Sequence, residues 1–297
     1  MQSLNELFEK KENRSLEIIA QEILDGFFHG KHKSPFHGFS SEFKEYTHFQ
    51  MGDNPRQIDW KLFGKTDKLY KKRHQDERNI QVVFVLDTSS SMYFPMDNSL
   101  KMEKAIQWIA MMCYILHQQH DAFGLVLLQN NISTETPISN SKSHLQRIIE
   151  QLEKLRHRPK EPDDTNFSKG FSTVMESLGT RKMIFLLSDL LFPRKEYEEF
   201  LTTCRSLAFR KNQLTLLQVF HPTEEELMGL NEGETILLSD LETREFVQIS
   251  GLVLNQSLKQ LKKQIDEEII YPLLEKGIKS KKFNCEKPIG LLIKESI

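Results

Sequence analysis

The sequence predicts an α/β fold, with a doubly wound, mostly parallel sheet flanked by helices. Two observations carry that expectation. Short apolar runs rich in Val, Leu and Phe recur as IQVVFVLD, KMIFLLSD and NQLTLLQVF. Runs of this texture are strands covered on both faces, as in a parallel sheet. Helical stretches separate them, and regular alternation of strand and helix builds parallel crossover units.

Taken in order, residues 1–79 read as a small N-terminal segment, partly helical and partly irregular or β. Leu16, Ile18, Ile19, Ile23, Leu24 and Phe27 recur at helical spacing. HGKHKSPFHGFSSEF then reads as loop, broken by Gly30, Pro35 and Gly38. Residues 80–297 form the main domain. Its first strand runs from Ile80 to Leu86, and a buried helix spans Ser99 to His120. DAFGLVLLQ is a second strand. NISTETPI is an edge strand, because Pro137 is poorly tolerated in a central one. Helices follow over Ser143–Arg156 and Phe167–Leu178. KMIFLLSD is a strand, Arg194–Phe209 a helix, and NQLTLLQVF the next strand. ETILLSDLETREFVQIS reads as a β-hairpin turning at Ser239 to Thr243. A long helix from about Leu252 to Lys276 closes the pattern, with Pro272 kinking or ending it.

Bulk properties exclude several function classes. The chain has 297 residues, enough for a core without disulfide staples. It carries 40 basic and 42 acidic residues, for a net charge of −2. A nucleic-acid binder needs a clustered basic excess. The basic run Lys68, Lys71, Lys72 and Arg73 is soon followed by Asp76 and Glu77, so it reads as solvated surface. The three cysteines, Cys113, Cys204 and Cys285, lie far apart and suit a reducing compartment. The N-terminus lacks the apolar core of a signal peptide. The longest uncharged apolar run, Ala105 to Leu116, falls short of the roughly twenty residues a bilayer requires. A cytoplasmic protein without membrane insertion is expected.

Ligands of doubly wound sheets sit beyond the carboxyl ends of the strands. The first strand runs straight into Asp87-Thr88-Ser89-Ser90-Ser91. A carboxylate and two hydroxyls in the spacing D-x-S-x-S can converge on one small, hard cation, Mg²⁺ above all, with Mn²⁺ also possible. KMIFLLSD ends in Ser188-Asp189, which puts a second carboxylate on the same edge. Between them lies the loop Pro162 to Asn166, where Thr165 offers another hydroxyl. Each part alone has a plainer reading. Ser or Thr often only caps a helix, Thr165 is placed to do so, and Asp189 could cap the turn at Pro193.

The order DTSSS, DDT, LLSD resembles the metal-ion-dependent adhesion site of von Willebrand A domains. That likeness implies a von Willebrand A-like sheet, with Asp87, Ser89, Ser91, Thr165 and Asp189 around Mg²⁺, directly or through water. A partner's Asp or Glu carboxylate would complete the octahedron. The Gly-Gly-Thr usual in such sites is Asp163-Asp164-Thr165 here. A second likeness lies upstream. Residues 44–73 resemble the signature of a bacterial family, the domain of unknown function numbered fifty-eight, whose hallmark is G-D-x-x-R-x-I-D-W. Here it is Gly52, Asp53, Arg56, Ile58, Asp59 and Trp60. Leu69-Tyr70, Glu77, Asp87 and Met92 also fit, while Leu62 to Asp67 replace the usual Ala-Arg-Thr-Gly segment. The likeness extends from about Leu16 to the C-terminal tail. Physically, Arg56 could pair with Asp53 or Asp59, with Trp60 as a buried anchor. The alternative is that this segment is a docking surface.

The family likeness implies a non-catalytic adaptor working with a MoxR-type AAA+ ATPase in assembly or maturation of other proteins. A Mg²⁺-dependent phosphatase is the enzymatic alternative. Its site would need an acid two positions after Asp87, and that position is Ser89. Gly64-Lys65-Thr66 imitates the end of a P-loop, but position 59 is Asp and no buried strand precedes it. There is no G-x-S-x-G elbow, and the ten histidines lack metal-ligand spacing. An extracellular adhesin would share the metal site but would need a secretion signal.

Overall fold

The structure is a computed structural model describing Leu16 and residues 43–48, 60–66, 68–74, 81–95, 99–129, 132–156, 166–226, 235–239 and 246–296. The chain divides into two compact units, Lys33–Ile80 and Met1–His32 together with Gln81–Ile297.

In the smaller unit, β1 (Phe43–His48) pairs antiparallel with β2 (Tyr70–His74), and helix α1 (Trp60–Thr66) lies between them in sequence. Tyr46 stands opposite Lys72, and the register shifts between Phe43 and Glu45. One sequence expectation changes here: Phe43, read as the end of a loop, opens β1, while Lys71 to Arg73 of the basic run lie within β2. FKEYTH and YKKRH have no clean apolar alternation, so only pairing with each other makes them strands.

The larger unit is built on a six-stranded sheet. Its first half runs β3 (Gln81–Asp87), helix α2 (Leu100–Gln118), β4 (Ala122–Gln129) and β5 (Ile132–Glu135). Helices α3 (Lys142–Arg156) and α4 (Phe167–Ser177) lead to β6 (Met183–Ser188). Then come α5 (Tyr197–Phe209), β7 (Gln213–Phe220) and the short α6 (Pro222–Glu226). The hairpin β8 (Thr235–Ser239) with β9 (Phe246–Ser250) is antiparallel, as expected. After it run α7 (Gly251–Ile265), a π-helical turn (Asp266–Ile270), α8 (Tyr271–Glu275), β10 (Lys279–Asn284) and α9 (Ile289–Ser296).

The strand order is β10-β7-β6-β3-β4-β5. Five strands are parallel, and only the edge strand β5 is antiparallel. From β3 the chain winds outward through β4 and β5. It then crosses to the other side of β3 for β6, β7 and β10. The order therefore reverses between β3 and β6, which is where a doubly wound sheet opens a crevice at its carboxyl edge. This is the α/β sheet that the sequence predicts, with Pro137 lying just past the antiparallel edge strand.

Both faces of the sheet are covered. Val83, Val85, Ile184, Leu186, Leu214 and Leu216 pack with Phe171, Phe200 and Leu273 on one side. On the other, Trp108 of α2 meets Phe84, Phe185 and Phe283 edge-on, at 5.8, 5.4 and 6.4 Å between ring centroids. Its indole Nε1 donates to Ser296 Oγ at 2.9 Å, which ties α9 to the core.

The sequence reading omits β10 and α9. KSKKFN is too charged to look like a strand. It lies at a sheet edge and takes its conformation from register with β7, Lys279 opposite Thr215. The long terminal helix is present, and Pro272 marks its irregularity. Proline has no N–H to donate, so the carbonyl four residues back loses its normal partner. The helix accommodates this just before the proline, where Tyr271 N–H reaches Asp266 O across a π turn. The three cysteines are free and buried. Among the described residues no helix is long and apolar enough to cross a membrane.

Candidate metal centre

The carboxyl ends of the neighbouring strands β3 and β6 carry the candidate residues. Asp87 closes β3 and is buried. Its Oδ1 accepts the Ser89 backbone N–H at 2.9 Å, and its Oδ2 accepts the Ser188 hydroxyl at 2.6 Å. Thr88 fixes the loop to the end of β4, both its N–H and its hydroxyl donating to Leu128 O at 3.2 and 2.6 Å. A 3-10 turn follows over Ser90–Tyr93. Ser89 occupies the N-cap of that turn, yet its side chain caps nothing. Its hydroxyl instead lies 3.1 Å from the hydroxyl of Ser91. The plainer capping role is thus unfilled, and the two hydroxyls face each other.

Just past the end of the neighbouring strand β6, Leu190 holds a backbone φ of 61°. For a branched side chain this left-handed conformation costs about 1–2 kcal/mol. It brings Leu190 N–H back to Ser188 Oγ at 3.0 Å and Leu191 N–H to Asp189 Oδ1 at 3.1 Å. Asp189 thus closes a tight turn onto Leu191, and the 3-10 turn that starts after Pro193 has no side-chain cap. Its other oxygen, Oδ2, accepts from Lys101 Nζ at 2.8 Å. That ammonium is fully buried and also donates to Glu224 Oε1 at 2.7 Å.

Burial pushes the Asp87 carboxyl up to about 6, and the nearby charge of Asp189 adds to the rise. Hydrogen bonds from Ser188 and Ser89 partly offset both. For Lys101, burial alone would lower the pKa. The charges of Asp189 and then Glu224 outweigh it and hold the ammonium above its usual range.

Asp87, Ser89, Ser91 and Asp189 are thus brought to one edge. Thr165 lies outside the described residues. The N-cap of α4 is its neighbour Asn166, whose side chain accepts from Lys169 N at 2.9 Å. Gly52, Asp53, Arg56 and Asp59 also lie outside the described residues, while Trp60 opens α1. Among the described residues no three His, Cys, Asp or Glu side chains gather as a metal cluster. The side chains on this edge are instead the carboxylates of Asp87 and Asp189 and the hydroxyls of Ser89 and Ser91, all oxygen donors, which suits Mg²⁺. The 3.1 Å between the two hydroxyl oxygens is close to the ~3.0 Å edge of an octahedron with ~2.1 Å bonds.

Ser188, Lys101 and Glu224 escape the sequence reading. A signal existed for Lys101 alone. It falls in register with Ala105, Trp108 and Met112, a charge in an otherwise apolar stripe of α2. Beside the site, a cavity of about 210 Å³ opens between the ends of β6 and β7 and helix α7, lined by Phe94, Leu191, Phe220, Leu258 and Ile265 with Asp189 at its border.

Comparison with known proteins gives four results. The uncharacterized protein Rv1480 of Mycobacterium tuberculosis is 22% identical over 236 residues, 78% of this chain and 72% of that protein. Among solved structures, an aerotolerance-related membrane protein from Bacteroides fragilis matches with a TM-score of 0.44 and 15% identity, over 73% of this chain and 98% of that one. The PilB minor pilin from Streptococcus sanguinis gives 0.44 and 16%, over 76% and 61%. The fold assignment rests on the strand order itself. The family model described as "Protein of unknown function DUF58" matches residues 45–265, a narrower span than the sequence likeness suggested but most of the chain, and the chain belongs to the DUF58 family.

Proposed function

We propose that this protein is a non-catalytic, metal-dependent binding module that takes up a carboxylate of a partner protein. The observation that carries the reading is the Asp87 loop. A buried carboxylate and two mutually facing hydroxyls stand at the reversal point of the sheet, and Ser89 has no capping role to explain its hydroxyl. Asp87, Ser89 and Ser91 would hold Mg²⁺ or Mn²⁺, with Asp189 beside them. A bound cation supplies a Lewis-acidic position for an Asp or Glu side chain of the partner. The loop's own work is to hold these oxygens in place, through Ser188 on Asp87 and Leu128 on Thr88. The partner class follows from the family likeness: a MoxR-type AAA+ ATPase, with this chain as a cytoplasmic adaptor in assembly or maturation of other proteins.

A phosphatase needs an acid placed to protonate the leaving group. Ser89 stands at that position, with its hydroxyl turned to Ser91. The adaptor reading is tested by thermal unfolding with and without Mg²⁺ or Mn²⁺. The parent should gain several degrees, and Asp87→Ala should gain none. Equal gains in both would remove the metal site. Hydrolysis of a generic aryl phosphate, lost in the same variant, would replace the adaptor with an enzyme. Co-purification with a MoxR-type ATPase that disappears on adding EDTA would support the partner.

A further inference from the structure

We infer that Lys101 sets the metal affinity of the strand-end site, as a resident counter-cation on Asp189 with which a divalent ion must compete. The inference rests on the metal reading above. Lys101 Nζ is fully buried, 2.8 Å from Asp189 Oδ2 and 2.7 Å from Glu224 Oε1, and 5.8 Å from the centroid of the Phe94 ring. Both carboxylates are themselves anchored. Asp189 Oδ1 accepts Leu191 N–H, and Glu224 Oε2 accepts His221 N–H at 2.9 Å. The ammonium is therefore held from two sides by carboxylates that are each anchored by a backbone N–H.

A Met or Leu at this position would continue the apolar stripe of α2 without the cost of burying a charge. The charge has a consequence for the site. When ionised, Asp87, Asp189 and Glu224 carry three negative charges, and Lys101 offsets one of them. A divalent cation arriving at Asp87 meets a positive charge already held on the adjacent carboxylate. The like charges repel, strongly so in a site with little water to screen them. Lys101 thereby keeps Asp189 neutralised when the cation is away, and lowers affinity when it comes.

The prediction is a pair of opposite shifts from one cluster. Isothermal titration with MgCl₂ and with MnCl₂ should give about tenfold or tighter binding for Lys101→Met than for the parent. Glu224→Gln removes a negative charge and leaves Lys101 to Asp189 alone, so it should bind about threefold or more weakly. Asp87→Ala should bind no metal. A space-filling role for Lys101 would not produce shifts of opposite sign. Unchanged or weaker binding in Lys101→Met, with metal still lost in Asp87→Ala, overturns the role of Lys101 and leaves the metal site standing. No heat from the parent, Lys101→Met or Glu224→Gln overturns the metal reading itself. If Lys101→Met does not fold, Glu224→Gln decides, since Glu224 is partly exposed. Weaker binding supports the inference, and equal or tighter binding overturns it.

Discussion

Asp87 is buried at the end of a strand covered on both faces, and that environment governs its titration. Its carboxyl is raised from 3.8 to about 6, by burial first and by Asp189 second. A carboxyl raised in the folded state contributes stability that is fully present below its unfolded pKa. That contribution is lost as pH rises through the folded value. In the presence of a chelator, stability should therefore fall between about pH 4 and pH 6, by about 3 kcal/mol for a shift of this size. Asp87→Asn keeps the shape and removes the titration. Denaturant unfolding across this range should show the slope in the parent and not in the variant. A parent whose stability rises across the window would contradict the assignment. Asp87 and its two serines were legible in the sequence because D-x-S-x-S follows directly from a buried strand. Lys101 and Glu224 were not placed beside Asp189, because 88 and 35 residues of chain separate them from it and only the fold closes those gaps.

Among the elements, the terminal helix shows what a local rule can and cannot say. Pro272 disturbs the helix, as its missing N–H requires. The disturbance takes the form of a π turn over Asp266–Ile270, and Pro272 then sits in the first turn of α8, where a missing donor costs little. Pro272→Ala should accordingly change stability by less than about 1 kcal/mol, well below the ~3 kcal/mol expected where an interior proline strains a helix. Urea unfolding of the two proteins measures the difference, and a gain near the larger figure would mean that the π turn stores strain. Strands β1, β2 and β10 show the opposite limit. Their sequences are charged, so their extended conformation comes from the neighbouring strand and not from their own pattern.

At the scale of the larger unit, the C-terminal segment completes the core on the α2 side. Ile289, Leu292 and Ile293 are buried. Ser296 accepts the indole N–H of Trp108 and donates back to Leu292 O. Burying three such side chains contributes about 5–9 kcal/mol, a large part of the ~5–15 kcal/mol by which domains of ordinary size are stable. A chain ending after Asn284 should lose its cooperative unfolding transition in a circular-dichroism melt. A truncated protein melting like the parent would mean that α9 packs without supporting the fold.

The α/β alternation, the central strands and the Asp87, Ser89, Ser91 loop are written in the residue order alone. Each of these depends on contiguous residues whose apolar runs and tight spacing act locally. The position of Asp189 just past a strand on the same edge is written there too. That β3 and β6 are neighbours, that Ser188 donates to Asp87 and that Lys101 is the cation held against Asp189 emerge only from the folded chain. Those facts depend on strand order and on a buried charge finding two distant carboxylates. No local pattern encodes that, because the low-dielectric pocket that makes the pairing obligatory exists only once the sheet and its helices have closed around it.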